Sequence, residues 1–147
     1  MIRIFASLFL SLSLMLGIAA SSLAQNYEKG LKAYRSGDYS TALQEWQPLA
    51  EQGDMTAQYN VGVIYGQGKG VPQDDKMAVK WYRLAAEQGL DRAQFYLGLY
   101  YDRGIGLPQD HKEALKWVRL AAEQGYASAQ GNLGAMYANV KGCLRIM

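Results

Sequence analysis

The sequence predicts an all-α fold, an α/α solenoid of stacked helix pairs, and three observations carry that prediction. The chain repeats itself: laid over each other at a spacing of 36 residues, Asp54–Gly89 and Leu90–Gly125 agree at 20 of 36 positions. Self-similarity at such a period marks a repeat architecture. Apolar positions also fall at helical spacing, with Ala78, Trp81, Ala85 and their copies Ala114, Trp117, Ala121 at i, i+3, i+7. Finally, small residues (Ala57, Gly62, Ala78, Ala85) alternate with large ones (Tyr65, Trp81), so a large side chain on one helix can enter the gap left by Ala or Gly on its neighbour. A single pair cannot bury such a face, so each unit leans on the next.

The N-terminus precedes any fold argument. Met1-Ile2-Arg3 is a short basic start, Ile4–Ala20 is apolar, and Ser22-Leu23-Ala24 is a small-x-small cleavage site. Residues 1–24 therefore read as a signal peptide cleaved after Ala24, with an uncleaved anchor as the alternative. The mature chain, Gln25–Met147, is expected outside the cytoplasm, periplasmic or secreted. Without Arg3, 15 − 1 = 14 basic side chains face 13 acidic ones, a formal charge near +1. That balance gives no electrostatic case for nucleic acid or an anionic membrane. No second apolar run is long enough to span a bilayer. The one cysteine, Cys143, excludes an internal disulfide; exposed, it would allow a disulfide-linked pair of chains.

Taken in order, residues 26–53 form a looser first unit. Gly30, Gly37-Asp38-Tyr39, Ala42 and Trp46 sit at the offsets of a tetratricopeptide helix pair. The spacing predicts helix A over about Asn26–Ser36 and helix B over about Tyr39–Gln52, with Asp38 as N-cap and Gly53 as a left-handed stop. Residues 54–89 form the second unit, with helices over about Met55–Gln67 and Asp75–Gln88. The long turn between them carries Gly68, Gly70 and Pro72, which allow positive φ and prevent either helix from running through. Asp74 is its N-cap. Residues 90–125 form the third unit, where Asp110 caps and Glu113 is placed to complete a capping box. Residues 126–147 open a fourth helix A through Ala129-Gln130, Leu133-Gly134 and Tyr137, then diverge with no fourth helix B. This lone helix either caps the third unit or belongs to a truncated repeat with an uncovered apolar face.

Ala-Gln-x-x-Leu-Gly-x-x-Tyr, Gly-x-Gly-hydrophobic-Pro-Gln-Asp and Ala-x-Lys-Trp-x-Arg-Leu-Ala-Ala-Glu-Gln-Gly resemble the Sel1-like repeat family, the long-loop relatives of tetratricopeptides. The resemblance is strongest over Asp54–Gly125. It implies a right-handed superhelix with helix A on the concave side, and an exported bacterial scaffold or adaptor acting in envelope or host-interaction roles. It does not imply a reaction. Cysteine-rich relatives have been labelled penicillin-binding or β-lactamase-like, but their paired cysteines are absent here.

The residues offer no catalytic, cofactor or metal site. His111, the single histidine, follows the N-cap Asp110 and reads as solvated surface. Gly66-x-Gly68-x-Gly70 lacks the Lys-Ser/Thr and the preceding strand of a phosphate loop. Neither Gly-x-Ser-x-Gly nor Ser-x-x-Lys occurs. Trp81 and Trp117 read as core. The remaining candidate is a groove for a protein or peptide partner. Superposed as tetratricopeptides, the units place Tyr27, Tyr59 and Phe95 in one column on helix A, followed by Gly131. Arg35, Gln67, Arg103 and Asn139 form a second column two turns on. Aromatic rings beside guanidinium and amide groups suit an extended peptide; alternatively the aromatics pack between units and the polar column is plain surface. On the groove reading, Arg103→Ala with Tyr59→Ala abolishes binding without unfolding the chain.

Overall fold

The structure, a computed structural model, describes residues 23–144, with side chains up to residue 137. The described residues form helices joined by turns and contain no strand. Helix α1 covers residues 23–35. It is followed by α2 (Tyr39–Glu51), α3 (Met55–Gln67), α4 (Asp75–Glu87), α5 (Asp91–Arg103), α6 (His111–Glu123) and α7 (Ala127–Leu144). From α2 to α7 each helix packs on the next in sequence, and the pairs within a unit, α3 with α4 and α5 with α6, are more extensively joined than neighbouring units. All but the last two residues of the expected leader, 1–24, lie outside the described residues, as do the side chains of Asn139 and Cys143.

Aspartate caps set the helix starts. Asp38, Asp54, Asp74 and Asp110 each accept a bond from a backbone amide of the following first turn, Thr41, Ala57, Met77 and Glu113 respectively. Each satisfies donors that the helix leaves free at its start. The capping box expected at Asp110 is only half formed. Asp110 accepts from the amides of Lys112 and Glu113, but the Glu113 carboxylate turns instead to Lys116 (3.1 Å) and to the Trp117 indole N–H (3.1 Å). A charge-assisted pair and an aromatic donor outcompete the amide of Asp110, which donates to the Tyr101 carbonyl.

The long turns do more than stop helices. Gly70 and Gly106 have φ of +69° and +70°. A Cβ at Gly70 would lie 3.1 Å from the Ser40 backbone nitrogen, and one at Gly106 would lie 2.5 Å from the Asp75 carbonyl oxygen. Each turn therefore lies against the start of the preceding unit's B helix, so the glycines serve both a left-handed backbone and a close approach.

The core runs along the stack as three clusters, centred on Trp46 with Val61 and Ile64, on Tyr82 with Leu97, and on Phe95 with Val118. The two tryptophans expected in the core differ. Trp81 is 5% exposed and its indole nitrogen has no hydrogen-bond partner. Trp117 is half-buried and donates to Glu113. The second unit carries Met77 where the third carries Glu113, and methionine offers the indole no carboxylate.

A glutamine ladder ties successive units. Gln58 Nε2 donates to the Ala50 carbonyl (3.0 Å), Gln94 Nε2 to Ala86 (3.2 Å) and Gln130 Nε2 to Ala122 (3.3 Å). The Gln58 and Gln94 side-chain oxygens accept in turn from Gln88 Nε2 (2.8 Å) and Gln124 Nε2 (2.7 Å). Among the described residues, Gln58 and Gln94 are the buried polar ones, and burial is tolerated because both ends of each amide are paired. Gln94→Leu is expected to cost about 1–2 kcal/mol, read as a lower urea midpoint, because Gln124 loses its acceptor and the Ala86 carbonyl one of its donors.

Candidate functional site

Arg35, Gln67 and Arg103 are each the last residue of an A helix and each is exposed. The polar column thus exists as a solvent-facing series at the C-terminal ends of α1, α3 and α5. A cation there also complements the partial negative charge of a helix end. Asn139, its fourth member, has no described side chain.

The aromatic column sits deeper than its polar neighbour. Tyr27 is half-buried, lies 6.0 Å from the Trp46 ring, and accepts a bond from Asn60 Nδ2 (3.2 Å). Tyr59 is half-buried between Tyr82 and Tyr96, each at 5.9 Å. Phe95 is 7% exposed and contacts Tyr96 (5.6 Å) and Tyr126 (5.3 Å). Tyr96 stacks on Tyr82 (5.6 Å), which meets Tyr100 edge-on (5.4 Å). The structure brings Tyr59 and Phe95 into one run of rings spanning the second, third and fourth units, while Tyr27 belongs to a separate group around Trp46. Tyr59→Ala would open a gap in that run. It therefore serves poorly as a substitution meant to spare the fold, and the exposed polar column is the cleaner probe.

Burial pushes the Tyr82 and Tyr59 phenols well above their ordinary value, with neighbouring phenols adding to the effect and Arg92 opposing it at Tyr59. Burial, then Asp75, raises Tyr100 as well. Where the folded pKa exceeds the unfolded one, the folded state holds its proton longer. The stability these groups contribute is therefore complete below the unfolded value of 10.0 and is lost as pH rises from there toward the folded value. The protein is expected to lose thermal stability above about pH 10, and Tyr82→Phe should make that loss shallower in melts across pH 8–11.5.

Contacts not foreseen from the sequence surround these columns. Arg83 Nη2 donates to the Tyr101 hydroxyl (2.8 Å), and Arg119 Nη2 to that of Tyr137, each pair 18 residues apart and 36 from its copy. Lys69 Nζ donates to the Tyr34 hydroxyl (2.8 Å) and lies over the rings of Tyr34 and Tyr39. His111 is exposed, its Nδ1 2.9 Å from the Asp102 carboxylate. Among the described residues no group of three or more His, Cys, Asp or Glu side chains is placed to hold a metal ion, and no helix is long and apolar enough to cross a membrane. One shallow depression of about 460 Å³ lies beside Tyr27, bounded by Glu28, Leu49 and Gln52.

The Sel1 repeat model matches residues 17–54, 56–90 and 91–126. A Sel1 repeat protein of known structure from Oxalobacter formigenes is 38% identical with a TM-score of 0.72, covering 79% of this chain and 47% of that one. A protective antigen present in uropathogenic Escherichia coli strains, which displays an SLR fold, is 37% identical with a TM-score of 0.76, covering 82% of this chain and 27% of the antigen. The cysteine-rich protein B of Helicobacter pylori shares the fold at 21% identity and a TM-score of 0.60, over 76% of this chain and 95% of that one. Among curated proteins, the rat DAP3-binding cell death enhancer 1 is 40% identical over 50 residues, 34% of this chain and 10% of that protein. The chain thus spans under half of the first solved relative and matches a tenth of the curated one.

Proposed function

Because the chain belongs to the Sel1 repeat family, whose solenoids typically serve as protein-interaction scaffolds, we propose that it is a non-catalytic adaptor holding an extended peptide along its A-helix face. The observation that supports this reading most directly is the series Arg35, Gln67 and Arg103, exposed at equivalent positions in three successive units. Two guanidinium groups and an amide at the repeat spacing match a strand-like partner that presents carboxylates or backbone carbonyls at intervals. Tyr27 and Tyr59, half-buried two helical turns before this series, offer ring edges to apolar side chains of the same peptide, while Phe95 packs against Tyr96 and Tyr126. The reading includes export through residues 1–24 to the periplasm or beyond.

Arg35→Ala with Arg103→Ala is expected to weaken partner capture from envelope extract at least tenfold, with only a small drop in melting temperature because both side chains are solvent-exposed and lose little beyond their interaction with the helix ends. Equal capture by the wild type and the double variant would overturn the groove. Fractionation with N-terminal sequencing tests export: a mature chain beginning at Gln25 outside the cytoplasm is expected, and an intact cytoplasmic Met1 chain would refute it.

A further inference from the structure

The solvent side of the A helices is a stripe one residue removed from the deeper rings. Residues at i, i+4, i+7 and i+11 share a helix face. On α5 they are Arg92, Tyr96, Leu99 and Arg103, all exposed or half-buried, whereas Phe95, Leu97 and Gly98 between them are buried. The same stripe reads Thr56, Asn60, Val63 and Gln67 on α3, and Glu28, Leu31 and Arg35 on α1, again with no buried member. The stripes lie side by side. Asn60 Nδ2 donates to the Tyr27 hydroxyl (3.2 Å) between α3 and α1, and the Tyr59 ring meets that of Tyr96 (5.9 Å) between α3 and α5. A Cβ at Gly66 would fall 2.5 Å from the Tyr100 hydroxyl oxygen, so α3 and α5 approach closely, and helices in contact run about 8–10 Å apart. Leu31, Val63 and Leu99, one per unit, thus form a half-buried apolar line. Arg35, Gln67 and Arg103 make one rim beside it, and Thr56 and Arg92 the other. Charge is uneven along the line: Glu28 faces Arg35 in the first unit, the second stripe is uncharged, and the third carries two guanidinium groups. Neither Arg92 nor Arg103 is in an ion pair among the described residues. The acids next to them are engaged, Asp91 with the backbone amide of Arg92 (2.7 Å) and Asp102 with His111 (2.9 Å).

We propose that the partner crosses the A helices as an acidic polyproline-II segment, with an apolar side chain on each of Leu31, Val63 and Leu99 and a carboxylate on each of Arg92 and Arg103. The assignment rests on the peptide groove proposed above and names what fills it. Pitch selects the conformation. A polyproline-II helix turns once in three residues and rises about 3.1 Å per residue, so one turn advances about 9 Å, the step from one A helix to the next. Every third side chain then meets the apolar line, and the other two of each turn point to opposite rims. A β-strand alternates faces, so its residue about 10 Å further on points away from the line. The Tyr96 ring beside Leu99 suits proline, as aromatic-lined grooves do. Charge selects the composition. Over α5 the two rim-facing residues meet Arg92 and Arg103 and are therefore Asp or Glu; over α3 they meet a hydroxyl and an amide and need no charge. The motif is apolar-x-x-apolar-x-x-apolar-acidic-acidic.

The probe is the fluorescein-labelled peptide Leu-Pro-Pro-Leu-Pro-Pro-Leu-Glu-Glu, titrated by anisotropy with the protein as cells process it. Saturable one-to-one binding is expected. Arg92→Gln should weaken it at least about tenfold, and Arg92→Lys, which keeps the charge, by less. Arg92→Gln should not lower the melting temperature, since a cation at a helix start opposes the helix dipole. Exchanging both glutamates of the peptide for glutamine should weaken binding to the wild type and cost less in the Arg92→Gln protein, the coupling that a direct pair produces. A peptide with Leu-Gly-Ser in place of Leu-Pro-Pro keeps the charges without the polyproline-II conformation and should bind more weakly. Absence of saturation, equal binding of the glutamate and glutamine peptides, or equal binding of the Leu-Gly-Ser peptide would each overturn the proposal. Capture from envelope extract separates its failure from that of the groove: a partner lost on Arg35→Ala with Arg103→Ala, alongside a probe that does not bind, leaves the groove standing and removes the polyproline-II segment.

Discussion

Replacing Gly98 with leucine is expected to unfold the third unit, whereas the same substitution at Gly134 should leave the protein as stable as the wild type or more so. Both glycines occupy the same position of the repeat, both lie in A helices, and a sequence comparison alone would score the two changes alike. Their surroundings decide the sign. At Gly98 the new Cβ meets Val118 Cγ2 at 2.6 Å, a contact that a rotamer change relieves, but also the Ala114 carbonyl oxygen at 3.1 Å and the Val118 nitrogen at 3.2 Å, which it does not. Those are backbone atoms of α6, and leucine carries three further carbons into the same space, so α6 must move away as a body. Overpacking a core costs about 1–3 kcal/mol and at times more. A displaced helix also loses the Gln94–Gln124 bond and the contacts of Val118, which places Gly98→Leu at about 3 kcal/mol or above. That is a large part of the stability of a small domain. Gly134 carries no such contact, and exchanging glycine for a good helix former in an open helix gains up to about 1 kcal/mol. Urea unfolding followed by circular dichroism separates the two, and similar midpoints for both variants would refute this account of the A–B interface.

What the sequence made legible follows the range of the interactions involved. Helix starts and stops depend on residues a few positions apart. Asp38, Asp74 and Asp110 therefore appear as caps where expected, and α3 occupies Met55–Gln67 as predicted. Glu113 shows where local reasoning stops. Its spacing from Asp110 fits a capping box, but two competing donors on the next turn, Lys116 and Trp117, claim the carboxylate. The turn glycines were legible as left-handed residues, and their second role was not. The approach of Gly106 to the Asp75 carbonyl depends on how one unit lies on the previous one.

The candidate site divides in the same way. Arg35, Gln67 and Arg103 end their helices and face solvent, because a helix terminus is placed by local geometry. Tyr59 and Phe95 lie on the same helices, but their exposure depends on how the next unit rotates against them, and Tyr82, Tyr96 and Tyr126 take up much of their surface. The glutamine ladder was visible as the repeated Ala-Gln and Glu-Gln-Gly. Its pairing is not legible there, because a lone buried amide is costly and only the stack shows that each one is paired.

Trp46→Ala is the second large effect, and its reach along the chain is the informative part. Trp46 is 1% exposed, lies between Tyr27 (6.0 Å) and Tyr34 (5.5 Å), and donates its indole N–H to the Tyr27 carbonyl (3.2 Å). The fit beneath it is close, since a Cβ at Gly30 would fall 2.5 Å from the indole nitrogen. Truncation to alanine removes the contact that joins α1 to α2 and leaves a cavity that two tyrosines cannot fill, a change worth about 3–5 kcal/mol. In a solenoid each unit contacts only its neighbours, so the damage should stay near its origin. Trp46 lies in the first unit, and residues 55–126 keep both of their complete A–B interfaces. Amide hydrogen exchange of Trp46→Ala should therefore show protection lost over residues 23–51 and retained over the second and third units. Gly98→Leu, placed inside the stack, should instead remove protection from α5 through α7. If Trp46→Ala strips protection from the whole chain at once, the units do not fold as separable neighbours, and the stack is one cooperative body whose first tryptophan holds all of it.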